Sequence, residues 1–147
     1  AIELIKQGEG FSKTAYFDVN AYRIGYGSDT ITDSNGKVRR VQKGDIVDQK
    51  MALVDLNRRV TEEFKPKVVQ TCQNNGLFYP DIEDCVKTVF IDLAYNYGTL
   101  WNVFPKEYNS KGVRGVIDEL QRRANLGSSQ VPSRRLLEIN YLKSRCS

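Results

Sequence analysis

Apolar residues recur at helical spacing from the start of the chain. Ala1, Leu4, Ile5 and Gly8 share one face, which predicts a helix ending at Glu9. The period then changes: Tyr22, Ile24 and Tyr26 alternate with Arg23, Gly25 and Gly27, the period-two pattern of a strand. Asp33-Ser34-Asn35-Gly36 is a turn signal and Lys37 to Val41 supplies a returning strand, so residues 15 to 41 read as a small β-sheet. Asp48 is placed to cap a helix running to about Phe64, with Leu53, Leu56, Val60 and Phe64 inward and Pro66 just past its end. Residues 70 to 80, with Asn74-Asn75-Gly76 and Pro80, read as a connecting loop. Asp81 is expected to cap a regular helix that turns Val86, Val89, Phe90, Leu93 and Tyr97 to one side and ends at Gly98. Val113, Val116, Ile117, Leu120 and Ala124 describe another, closed by Asn125-Leu126-Gly127. Pro132 opens the last, through Leu136, Leu137 and Tyr141 toward Arg145.

The order of helix, small sheet and mostly helical remainder predicts an α+β fold. Residues 1–147 read as a single domain, with a β lobe over about 12–45 and a helical lobe over about 48–147 that takes in the first helix. A cleft between two such lobes is the natural ligand site. No apolar run approaches the ~20 residues that span a bilayer, so no stable membrane insertion is expected. No leader of charged, apolar and small residues opens the chain, and Ala1 fits either a segment of a longer polypeptide or a removed initiator methionine.

The net charge is +4. That balance suits attraction to an anionic wall polymer and equally to nucleic acid, so charge alone selects no partner. The pairs Arg39-Arg40, Arg58-Arg59, Arg122-Arg123 and Arg134-Arg135 are spread along the chain, three of them on predicted helices with acids nearby, and read as solvated faces. There is no histidine and no CxxC spacing, so neither a zinc site nor any other cofactor is expected. Of the three cysteines, Cys72 and Cys85 are spaced to allow a bridge, but free thiols are the expected state in a cytosolically made chain.

The densest chemistry lies between residues 9 and 28. Glu9 closes the first helix at the negative pole of its dipole, which disfavours the ionised form and suits a general acid. Asp18 follows in a turn. Two acids on different elements can face a glycosidic bond from opposite sides. Asp18 is also good turn chemistry with Val19-Asn20, bonding its own backbone. Arg23 reads either as an exposed strand residue or as a partner of Asp18 or of an anionic substrate group. Gly25 and Gly27 let a polymer lie against the strand, or permit a bulge.

Glu9-Gly10, Tyr16-Phe17-Asp18 and Ile24-Gly25-Tyr26-Gly27 together resemble the opening of the phage-type lysozymes, glycoside hydrolase family 24. Ala94-Tyr95-Asn96-Tyr97-Gly98 is similar to that family's Phe-Asn-x-Gly helix end, and Pro132-Ser133-Arg134-Arg135 with Glu138 to its arginine-rich last helix. Matches therefore fall at the beginning, middle and end, in the family's order. Two positions depart: the family's threonine before Ile-Gly is Arg23 here, and its histidine after Gly-x-Gly is Ser28. The turn after Asp18 is one residue shorter.

The resemblance implies a lysozyme-like fold and cleavage of the MurNAc-GlcNAc strand of peptidoglycan. Glu9 would be the acid and Asp18 the second carboxylate. Tyr16, Arg23, Tyr26, Ser28, Thr30, Tyr95, Asn96 and Arg134 would bind substrate or support the site. Ser28 and Thr30 would supply hydroxyls in place of the missing histidine and threonine. Arg134 would approach Glu9, the other reading being a surface pair with Glu138. Tyr95 and Asn96 serve equally as helix packing and capping, and Trp101 and Phe104 read as core. The implied setting is a phage-encoded protein acting on the host cell wall, free or virion-associated. It would be a monomer, bind no nucleic acid and need no cofactor. Losing the threonine tilts toward a lytic transglycosylase, which closes the sugar's own 6-hydroxyl on the cation, while keeping Asp18 tilts toward hydrolysis. A non-catalytic glycan-binding or structural module is the competing class.

Overall fold

The computed structural model describes residues 1–126 and 132–146. The first helix, α1 (Ile2–Glu9), buries Leu4 and Ile5 and ends at Glu9, as the periodicity predicts. Two antiparallel ribbons follow. Strands β1 (Ser12–Asp18) and β2 (Ala21–Gly25) pair with Asp18 opposite Ala21 and Phe17 opposite Tyr22, and a bulge falls between Ser12 and Tyr16. Strands β3 (Thr30–Thr32) and β4 (Val38–Arg40) pair across the predicted turn, where the Asp33 carboxylate accepts from the amides of Asn35 and Lys37.

The predicted strand is shorter than its alternation implied. Gly25-Tyr26-Gly27 is a three-residue turn, closed by paired backbone bonds between Ile24 and Ser28. Both glycines hold positive φ, +62° and +79°, which side-chain-bearing residues rarely adopt. Gly25 also borders the β1–β2 bulge, opposite Ser12, whereas Gly27 lies outside that pairing.

Asp48 caps α2 (Gln49–Arg59), accepting from the Met51 amide at 2.8 Å. The helix does not stop near Phe64. It passes through a π-turn (Val60–Phe64) into α3 (Lys65–Asn74), so residues 70 to 74 are helical rather than loop. Pro66 is tolerated because it falls in the first turn of α3, where a missing N–H costs little. After a 3-10 turn (Tyr79–Asp81), α4 (Asp84–Tyr97) starts three residues beyond Asp81, and its cap position is Glu83. Gly98 ends it in the left-handed region at φ +90°. Val86, Val89, Phe90 and Leu93 are fully buried.

Helix α5 (Val103–Lys111) has no apolar period of its own and was not predicted; Phe104 is in the core, whereas Trp101 is 38% exposed. Helix α6 (Val113–Ala124) matches its prediction, although Gly127 lies outside the described residues. Helix α7 (Pro132–Arg145) buries Ile139 and Leu142, while Leu136 is exposed.

The chain divides into two compact units, Ile2–Glu63 and Ala1 with Phe64–Ser147. The first holds α1, both ribbons and α2. The second is helical, with α6 packed on α5 and α7, and α7 on α4. The helical unit is stapled by a disulfide between Cys85, at the start of α4, and Cys146, just past α7. This overturns the expectation of free thiols. It also leaves Cys72 unbridged: Cys72 is fully buried on α3 and its thiol is pushed up to about 11 by burial. Among the described residues no helix is long and apolar enough to cross a membrane.

Candidate active site

Within the first unit, three short elements bring the chemistry of residues 9–28 together. Helix α1 delivers Glu9, partly buried, with its carboxylate directly against Gly27 of the tight turn. Tyr26, 5% exposed, fastens that turn to the end of α1, its ring 5.4 Å from Phe11 and 5.8 Å from the Lys6 ammonium. Strand β1 ends at Asp18, beside Val19 at φ +57°. A β-branched residue there is strained by roughly 1–3 kcal/mol, and such strain often marks a functional turn.

Arg23 connects these parts. Its Nε lies 3.3 Å from Asp18 Oδ2 and its Nη1 donates to the Gly27 carbonyl at 3.2 Å. It is therefore not a free strand residue, and the Asp18 carboxylate faces a guanidinium. Tyr16, one turn of the pleat from Asp18, reports the local field. Burial, then the negative charges of Glu9 and Asp18, hold its hydroxyl above the ordinary value, and Arg23 pulls the other way. Tyr16 thus stays a protonated donor at any wall-compatible pH, within electrostatic reach of both carboxylates.

Ser28 and Thr30 belong to a polar cluster centred on Asp55. Asp55 of α2, 3% exposed, accepts from Ser28 Oγ at 2.5 Å, Thr30 Oγ1 at 3.0 Å and Thr32 Oγ1 at 2.6 Å. Arg58 donates to the Thr30 and Thr32 hydroxyls and Arg59 to Ser28. Sequence reading missed Asp55 and placed Arg58-Arg59 on a solvated face. The signal was the alternation Ser28-x-Thr30-x-Thr32, which puts three hydroxyls on one side of a strand and calls for a buried acceptor opposite them.

The helical unit holds the other predicted residues. Tyr95 is 8% exposed and its ring packs 5.1 Å from Phe64. Asn96 is exposed and accepts from Arg135 at 3.0 Å. Arg134 is 6% exposed and forks onto Asp92 at 2.9 and 2.7 Å, while the fully buried Arg135 holds Glu138. The surface-pair reading of Arg134 is thereby corrected, as is the solvated reading of Arg134-Arg135: buried carboxylates on α4 and α7 draw both side chains inward. Burial, then Asp92, raises the Glu138 carboxyl well above its usual value, with Arg135 opposing. Among the described residues the sole metal-like grouping is Glu83 with Cys85 and Cys146, whose sulfurs are already bonded to each other.

No family model matches this sequence, and no curated protein matches it. The fold does have a counterpart among solved structures. The muramidase domain of SpmX from Asticaccaulis excentricus superposes with a TM-score of 0.68 over 95% of this chain and 92% of that one, at 17% identity. The fold is lysozyme-like. At that identity the likeness is one of architecture, an α+β chain with small two-stranded ribbons and a predominantly helical remainder.

Proposed function

We propose that this chain is a peptidoglycan-cleaving glycosidase of the lysozyme type, cutting the MurNAc-GlcNAc strand with Glu9 as general acid. The observation that carries the reading is the gathering of Glu9, Asp18, Tyr16 and Arg23 within the first unit of a lysozyme-like fold. Glu9 protonates the leaving sugar oxygen, and the negative charge of Asp18 steadies the oxocarbenium ion that forms. The solved neighbour is a muramidase domain, which supports the same substrate class. The motif resemblance supports a phage-type lytic protein acting on the cell wall. The Cys85–Cys146 bridge supports work on the oxidising side of the membrane, where disulfides persist.

The Arg23–Asp18 pair favours a second chemistry. With the Arg23 guanidinium 3.3 Å from its Oδ2, the Asp18 carboxylate has an oxygen occupied by that partner and is less available for attack on the cation. The cation can then be captured by the sugar's own 6-hydroxyl, as in a lytic transglycosylase, with Glu9 as sole acid and base.

Lysis of outer-membrane-stripped cells by wild type and Glu9→Gln tests the assignment. The variant keeps the side-chain shape without the transferable proton, so a loss of at least ~10²-fold is expected. Near-normal lysis by folded Glu9→Gln protein refutes it. Mass spectrometry of the released muropeptides separates the chemistries, because reducing ends carry one water more than anhydro ends. Asp18→Asn should be almost as damaging as Glu9→Gln in a hydrolase and far milder in a transglycosylase.

A further inference from the structure

We propose that Gly27 is the positioning residue for Glu9, a side-chain-free seat whose occupation by any Cβ would move the acid out of place. This rests on the glycosidase reading above. A Cβ built on Gly27 falls on Glu9 Oε1 well inside contact distance and 3.0 Å from Glu9 Cδ. The seat is braced. It is closed on both sides by the Ile24–Ser28 backbone bonds at 2.9 and 3.0 Å, and the Gly27 carbonyl is held by Arg23 at 3.2 Å. Ser28, the next residue, is anchored at 2.5 Å to the buried Asp55. The atoms that a Cβ would strike, Oε1 and Cδ, are the far end of the glutamate side chain, so relief of the clash displaces the carboxyl group itself.

The structure supplies its own control. Gly36 holds nearly the same φ, +81° against +79°, but a Cβ there meets nothing within 4 Å. Alanine at either position carries the strain of a positive φ. Only alanine at 27 touches the acid.

The test compares Gly27→Ala and Gly36→Ala with wild type in three measurements: thermal midpoint, initial rate of wall lysis against wall concentration, and the 13C carboxyl resonance of Glu9, assigned by its absence in Glu9→Gln. The two alanine variants should melt within a few degrees of each other. Lysis by Gly27→Ala should fall by about 10²-fold, chiefly in the maximal rate, since a displacement of about 1 Å is enough for such a loss. Its Glu9 resonance should move, while Gly36→Ala keeps the wild-type rate and resonance. Equal rates and an unmoved Glu9 resonance in folded Gly27→Ala overturn the proposal. If Gly27→Ala does not fold, the double variant Glu9→Ala/Gly27→Ala decides: folding restored to the level of Gly36→Ala supports the contact, and continued failure to fold overturns it. A wild-type protein that lyses no wall removes the functional reading alone, because the resonance comparison still tests the seat.

Discussion

Breaking the Cys85–Cys146 bridge with Cys146→Ser should destabilise the protein far more than a surface substitution would. The bridge spans 61 residues and ties the start of α4 to the end of α7, so it removes loop-closure freedom from the unfolded chain across most of the helical unit. A loop of that length corresponds to about 4 kcal/mol on the chain-entropy scale. For a protein of this size each kcal/mol moves the thermal midpoint by ~2–4 °C, so the midpoint should fall by about 10 °C. Urea melts of wild type and Cys146→Ser, each with and without reductant, measure the difference directly. Reductant should bring wild type down to the variant and leave the variant unchanged. Thiol titration supplies the chemical check. Native wild type should react slowly, because Cys72 is fully buried and its thiol is held up near 11. Denatured without reductant it should show a single thiol, that of Cys72, and after reduction all three. Three thiols before reduction, or a reductant-independent midpoint, would refute the staple.

Asp55→Ala should cost about 3 kcal/mol or more in urea melts, because it leaves the hydroxyls of Ser28, Thr30 and Thr32 without their shared acceptor and takes one carboxylate from Arg58; a loss under about 1 kcal/mol would show that water replaces the carboxylate at little cost. Glu138 gives a pH signature. Its folded-state carboxyl is raised above the usual 4.5, so the folded chain holds the proton more tightly than the unfolded one. That contribution is complete below pH 4.5 and is lost as pH rises through the folded value. The stability advantage of wild type over Glu138→Gln should therefore shrink on going from acid to neutral pH, and a constant gap would refute the assignment.

Local chemistry made much of this molecule readable from its residues. The helix to Glu9, the Asp33–Gly36 turn, the Asp48 cap and the Gly98 stop each rest on interactions a few positions apart in sequence, so their signals lie in a short window. Helix α5 had no such signal, and the extension through Pro66 needed a π-turn that no short-range pattern announces. The gathering of Glu9, Tyr16, Asp18 and Arg23 was legible because all four sit within fifteen residues on neighbouring elements. What each side chain touches was decided by the tertiary structure. Ser28 lies 27 residues from Asp55, Arg134 lies 42 from Asp92, and Cys85 lies 61 from Cys146. Burial settled those pairings: a buried hydroxyl, carboxylate or guanidinium takes the partner that folding places beside it, and chain distance carries no trace of which one that is.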